Sequence, residues 1–361
     1  MIDFLHVGMP KAASTWLQEA FFAHHPQLAV LGTVAGAGDV HHRFRQEVRR
    51  LVRGGDLSAD VPAFQRAIEA LARERQGQRR AAGHVAEVLG VSSEILAGDW
   101  PTGRNTRFLA EALARCWPDA KVVLVLRDQR RLLESSHQEY VRQGGTQGLG
   151  AFVFGPGVSR GTVHDDELRR THVVEYAKLA PKVSLYQQCF GRERVHVTCI
   201  EQLVADPAAF VAGLAAFLGI APTAPPEQRT NPQLSPAALA VLRRCNHVFS
   251  TDHHPRYGWM PVNALLTAFA AQRLGAARAS ENPYWLPHVV SAHAQRRLAE
   301  GWLPVLDRWL LRHVPKRPAR LTQLPEALRT FLDQVFRDDT AALQPLVGFD
   351  PAAHGYPAPT Q

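Results

Sequence analysis

Residues 4–22 read FLHVGMPKAASTWLQEAFF, and the reading of the fold starts here. Phe4, Leu5 and Val7 form an apolar run that predicts a short buried strand. Gly8, Met9 and Pro10 break it as a turn. Lys11, Ala12, Ala13, Ser14 and Thr15 follow, and Trp16, Leu17, Ala20 and Phe21 then fall at helical spacing. A strand, a tight loop with one lysine and two hydroxyls, and a helix make an anion cradle. Free N–H groups at the helix start point at the anion, and the helix dipole favours negative charge there. Small residues at Ala12 and Ala13 let the backbone come close, and Lys11 supplies a formal charge. A nucleotide P-loop needs G-x-x-x-x-G-K-S/T, with the lysine directly before the hydroxyl. Here Lys11 precedes Thr15 by four positions and no glycine precedes Ser14, so the spacing argues against that motif. The plain alternative is an ordinary strand-to-helix turn with an incidental lysine.

Working outward, residues 32–38 (GTVAGAG) predict a flexible loop, and 42–78 carry helical spacing split by Gly54-Gly55. Residues 84–91 predict a second strand, ending at Ser92-Ser93-Glu94. A helix follows over 108–117. Residues 121–126 (KVVLVL) are β-branched, apolar and short, as a strand covered on both faces should be. Helices are expected over 131–141, 173–190 and 207–218, with a strand over 195–200. Alternating strands and helices imply an α/β fold: a central parallel sheet flanked by helices. In such sheets ligands bind beyond the carboxyl ends of the strands. Lys11, Glu94 and Arg127 each follow a predicted strand, which aligns them along one edge. From Cys245 onward the chain reads as helical and interrupted by prolines.

Arg127 ends the KVVLVL strand, where a guanidinium can fork onto a phosphate. Ser135, eight residues on and inside the next helix, can add a hydroxyl. The alternative pairs Arg127 with Asp128 or Glu134. Together with the first loop, these residues resemble a known pattern. The P-K-x-x-S/T-T-W-L form of residues 10–17 is similar to the 5′-phosphosulfate loop of sulfotransferases that use 3′-phosphoadenosine 5′-phosphosulfate (PAPS). Arg127 and Ser135 resemble that family's R-(seven residues)-S element, which holds the 3′-phosphate. Residues 194–219 resemble its strand, Y/I-E-x-L, helix and F-L-G segment, and residues 230–235 (TNPQLS) a stretch of its bacterial members. The likeness runs patchily from residue 2 to about 245. The Gly-rich R-K-G loop of the cytosolic animal branch is missing, which points to the bacterial and carbohydrate-type branches and leaves the adenine contacts unassigned.

The resemblance implies a P-loop-like three-layer fold over residues 1–245, with a helical insertion at about 35–83, and a helical C-terminal extension, 246–361, packed on the same domain. It implies donor binding by Pro10, Lys11, Ala12, Ala13, Ser14, Thr15, Trp16, Arg127 and Ser135, with Lys11 on the bridging and leaving oxygens. PAPS is the expected sulfuryl donor, with no metal. Sulfuryl transfer, like phosphoryl transfer, rests on positioning and electrostatic stabilisation. A base must take the acceptor proton. His41, beside Asp39 and His42, is favoured, with Glu94 orienting it or the acceptor; Glu94 itself, His42 and His137 are the other candidates. Two other readings stay open: a P-loop-type nucleotide kinase using Asp128 for magnesium, and a non-catalytic anion-binding protein.

Composition bounds the rest. The 361 residues are 46% hydrophobic, enough for a sizeable core. No run nears the roughly 18 apolar residues of a membrane span. The N-terminus leads straight into the first strand without a signal-peptide pattern, so a cytoplasmic enzyme is expected. Cys116, Cys189, Cys199 and Cys245 show neither zinc-finger nor C-x-x-C spacing, so reduced thiols are expected. The net charge of +8 comes from 36 arginines and 5 lysines, scattered without the aromatic-interleaved stripe of nucleic-acid grooves. No nucleic-acid partner is expected; a small nucleotide donor and a glycan or glycoconjugate acceptor are. Scarcity of lysine makes Lys11 more informative. Arg43, Arg45, Arg49 and Arg50 read as a solvated helix face.

Overall fold

A computed structural model of the protein describes residues 1–9, 11–98, 100, 102–155, 172–226, 234–249, 251, 295–313 and 324–358. The chain forms two compact units. The first comprises Met1–Leu133, Arg170–Asn231 and Thr330–Gln361, and the second Glu134–Arg169 and Pro232–Arg329.

The first unit is built on five parallel strands: β1 (Phe4–His6), β2 (Leu28–Leu31), β3 (Val88–Ser92), β4 (Lys121–Leu126) and β5 (Val195–Cys199), in the order β2-β3-β1-β4-β5. The helices in chain order are α1 (Ser14–Trp16, running on as a π-helical stretch Leu17–Phe22), α2 (Asp39–Ser58), α3 (Val61–Ala81), α4 (Thr106–Cys116), α5 (Gln129–Arg142), α6 (Leu149–Phe154), α7 (His172–Ala177), α8 (Ala180–Phe190), α9 (Ile200–Ala205), α10 (Pro207–Leu218), α11 (Pro236–Cys245), α12 (Leu303–His313) and α13 (Glu326–Leu343). α5 gives its first turn to the first unit and the remainder to the second.

Helices cover both faces of the sheet. On one, Phe22 packs against Phe4, Trp16 meets Phe210 of α10 edge-on at 6.4 Å, and Phe217 stacks on His196 of β5. On the other, α8 packs on β4, and Phe64 of α3 meets Trp117 just after α4. Val122, Val123, Leu124, Val125 and Leu126 are accordingly all buried. This is the α/β three-layer arrangement expected from the sequence, with a helical C-terminal extension: every described element after Cys245 is helical.

Several boundaries differ from expectation. The strand expected over 84–91 is Val88–Ser92, because residues 84–87 only lead into it. β2 was not expected: LAVL is four residues long and lies on the sheet edge. The helical run 42–78 leaves helical geometry at Gly55, as the Gly54-Gly55 split predicts, and breaks a second time at Ala59-Asp60, where Asp60 accepts a hydrogen bond from Ala63 N and Pro62 opens α3. Gly55 marks a kink inside α2, with φ at 52°. The helix expected over 173–190 is also two, interrupted at Lys178-Leu179.

In the second unit, Val141 packs with Leu234, Ala238, Leu239, Leu242 and Leu303. Ser235 caps α11 through Ala238 N, and Asp307 accepts from Ser235 N. Buried Asn246 donates to the carbonyls of Val141 and Gly145. The TNPQLS stretch lies outside the described residues through Gln233. Among the described residues, no helix is long and apolar enough to cross a membrane.

Candidate active site

Strand order places the candidate site. After β1 the chain turns to one side of the sheet, to β2 and β3; after β4 it turns to the other, to β5. The carboxyl ends of β1 and β4, paired in parallel, are therefore where the connections diverge, the position at which open α/β sheets bind ligands. Lys11 follows β1 and Arg127 follows β4. The structure joins the two loops directly: Arg127 Nη1 donates to the Lys11 carbonyl at 2.6 Å.

The loop after β1 is shaped for close approach. Lys11 and Ala13 hold φ at 65° and 63°, the left-handed region that side chains disfavour. Alternating hand along a loop turns backbone N–H groups inward into an anion-binding concavity. Ala12 N bonds Met9 O, and Leu17 N bonds Ala13 O at the helix start. Ser14 is buried, and its Oγ has no hydrogen-bond partner among the described residues. A Cβ on Gly8 would lie 2.3 Å from that oxygen, so only glycine admits the hydroxyl there. A buried unpaired hydroxyl in a concave loop of amides, beside a lysine, fits an anionic phosphate or sulfate oxygen. Thr15 is half-buried, and Trp16 anchors α1 on α10 through Phe210. Pro10 lies outside the described residues.

Asp128 caps α5 instead of serving a ligand: its Oδ1 accepts from Arg131 N and its Oδ2 from Arg130. Its own N–H donates to Glu201 Oε1, and Tyr356 OH lies 3.4 Å from Glu201 Oε2. Residues from α9 and the C-terminal segment thus brace the turn that carries Arg127. A carboxylate so engaged is poorly placed for the magnesium that a nucleotide kinase requires.

A family model described as the sulfotransferase family matches residues 4–225. The chain belongs to the sulfotransferase family. The matched stretch contains the whole sheet. A crystal structure of a sulfotransferase from Alicyclobacillus acidocaldarius is 20% identical, covers 79% of this chain and 98% of its own, and superposes with a TM-score of 0.42. A superposition this loose adds nothing to the family match. Among curated proteins, none matches the chain.

The remaining candidate residues of this sulfotransferase are spread more widely. Ser135 is buried on α5, in the second unit. Glu94 opens a 3₁₀ turn, Glu94–Ala97, directly after β3. His41 sits in the first turn of α2, its Nδ1 3.2 Å from the Thr33 carbonyl beyond β2. Burial, then the positive charge of Arg45, lowers its pKa, so the imidazole is neutral and able to accept a proton at neutral pH. β3 separates the strand before Lys11 from β2. His42 is exposed beside Gln46. His137 packs in the second unit against Tyr140 and Phe152, with Nε2 3.0 Å from the Gln147 carbonyl. Of the α2 arginines, Arg43 pairs with Asp39 and Glu74, and Arg50 with Glu47.

Three features had not been singled out in the sequence. Glu19, in the π-helical stretch, accepts from Val34 N and lies near enough to His41 to favour its proton. Arg75, 2% exposed, donates to the carbonyls of Ala35 and Gly36 and to Thr33 Oγ1, so α3 clamps the loop that orients His41. His6, at the end of β1, is buried beside the anion loop.

Proposed function

We propose that the protein is a PAPS-dependent sulfotransferase acting on a hydroxyl, or an amine, of a carbohydrate or carbohydrate-bearing metabolite. The observation that carries the donor assignment is the Arg127–Lys11 hydrogen bond at the divergence of β1 and β4. It supports a single nucleotide gripped by both loops. Lys11, Ser14, Thr15 and the loop amides of residues 11–16 hold the 5′-phosphosulfate, and Arg127 holds the 3′-phosphate. Ser135 joins Arg127 on the strength of the sequence spacing alone.

In the reaction the acceptor oxygen bonds to sulfur as the bond from sulfur to the 5′-phosphate oxygen breaks. Adenosine 3′,5′-bisphosphate leaves with that electron pair. Lys11 offsets the charge growing on the leaving oxygen, where a fixed cation stabilises the transition state more than the ground state. His41, neutral through burial, takes the acceptor proton, with Glu94 orienting the acceptor. The donor chemistry needs no metal. Four free cysteines support a reducing, cytoplasmic setting.

Incubation with radiolabelled PAPS and a panel of glycans tests this reading. The wild-type protein transfers label to at least one member, Lys11→Ala loses transfer by roughly a thousandfold, and Arg127→Ala mainly raises the KM for PAPS. Full activity in both variants would contradict the assignment.

A further inference from the structure

His6 is a chemistry-bearing side chain at the centre of the sheet that the proposed reaction leaves without a role. It ends β1, is fully buried, and turns its ring edge to Phe22 of the π-helical stretch, with centroids 5.6 Å apart. Its Nδ1 lies 2.7 Å from the hydroxyl of Ser92, its register partner on β3. That hydroxyl also accepts from Gln18 Nε2 at 2.9 Å, and the same amide reaches the Ser92 carbonyl at 3.3 Å. Ser92 Oγ accepts from Gln18, and directing its own hydrogen to His6 Nδ1 gives that buried hydrogen an acceptor, which a proton on Nδ1 would deny it. The tautomer assigned from this network carries its proton on Nε2.

Nε2 is buried and has no hydrogen-bond partner among the described residues; the same is true of Ser14 Oγ. The two side chains flank one glycine. A Cβ on Gly8 would lie 2.3 Å from Ser14 Oγ and 3.2 Å from His6 Cε1, the ring carbon bonded to Nε2. Ser14 and Gln18 are four residues apart, on one face of their helix. Gln18, Ser92 and His6 therefore form a hydrogen-bonded row running from the π-helical stretch toward the anion loop, and Ser14 lies beyond its end, across Gly8. Every donor in the row up to His6 points the same way, toward the loop, and such chains strengthen each hydrogen bond in turn.

From this juxtaposition we infer that His6 is a positioning residue: its Nε2–H, fixed by Ser92 and Gln18 and not bonded to Ser14 in this structure, turns onto Ser14 Oγ when the sulfuryl donor binds and holds that hydroxyl as a donor to the 5′-phosphate. The inference rests on the donor reading above and adds to it a relay from outside the loop. Burial lowers the imidazole pKa to about 3, so His6 stays neutral and acts by direction, not by charge. A histidine that merely fills the core would tie β1 to β3 and have no preference for one end of a nucleotide.

Calorimetric titration with two nucleotides separates these roles. Adenosine 3′,5′-bisphosphate carries the 5′-phosphate that Ser14 would meet; adenosine 3′-monophosphate lacks it. His6→Phe keeps the ring volume and removes both nitrogens. It should weaken adenosine 3′,5′-bisphosphate binding on the order of tenfold and leave adenosine 3′-monophosphate unchanged. His6→Gln, which can return an N–H near Nε2, should recover most of the loss. Gln18→Leu, at the far end of the row, should reproduce the selective loss at smaller size, and it carries the test should His6→Phe fail to fold. Equal weakening of both nucleotides, or of neither, would overturn the role given to His6 while leaving the donor reading standing. Wild-type protein that binds neither nucleotide would overturn both.

Discussion

Lys11 and Ala13 each hold a left-handed backbone where glycine would sit without strain, with φ at 65° and 63°. Such strain at a ligand loop is kept when the loop geometry is needed. Ala13→Gly should raise stability by roughly 0.5–1 kcal/mol, the left-handed penalty less the extra chain entropy of glycine; a lower thermal midpoint would contradict this. The sequence reads as an anion cradle at this loop but gives no sign of its strain, since neither lysine nor alanine signals positive φ. His6 was equally silent: one histidine in an apolar strand looks like core, and its role depends on Ser92 and Gln18, which come from elsewhere in the chain. The depressed pKa of His6 carries a stability consequence. The unfolded chain takes up a proton near pH 6.5, the folded chain only near pH 3. Between those values the unfolded state binds more protons, so stability falls as pH drops through this window, by up to about 1.4 kcal/mol per pH unit. Urea midpoints measured between pH 7 and 4 should fall less steeply for His6→Phe than for the wild type; parallel slopes would refute it.

At the level of elements, the inner strands and the edge strand β5 were legible, and the other edge strand, β2, was not. KVVLVL has the length and branching of a central strand, and it is one. LAVL gives too short a pattern to be told from the end of a helix. The break at Gly55 was legible in the sequence; the second, between α2 and α3, carried an equally usable signal, Asp60 before Val61-Pro62, that was not used. No arginine of α3 was singled out in the sequence, yet Arg75 and Arg79 are buried and bond backbone carbonyls. A guanidinium can clamp loops this way because its donors are fixed in a planar fork. Arg75→Met should therefore cost roughly 2–3 kcal/mol and speed amide hydrogen exchange across residues 33–41, with little change in donor affinity. Unchanged exchange there would mean that the loop holds itself.

Across the first unit, the last helix returns to support the sheet. Asp339 of α13 accepts from Leu179 N, Ala180 N and Gln129 Nε2. It thereby caps α8 and braces the residue after the Arg127–Asp128 turn. Its charge also opposes the burial that lowers Lys182 to about 7. Asp339→Ala should destabilise the protein by roughly 3 kcal/mol, read as a shift in the urea midpoint; a shift of a few tenths would show the docking to be incidental. None of this partnership was visible in the sequence, because the contacts span about 200 positions, from Gln129 to Asp339.

The larger claim is that the loops after β1 and β4 hold the two phosphate-bearing ends of one nucleotide. Calorimetric titration of PAPS into the wild-type protein, Lys11→Ala and Arg127→Ala tests it most directly. One site per chain is expected in the wild type, and each variant should bind at least about tenfold more weakly. Absence of binding to the wild type, or undiminished affinity in both variants, would contradict the account.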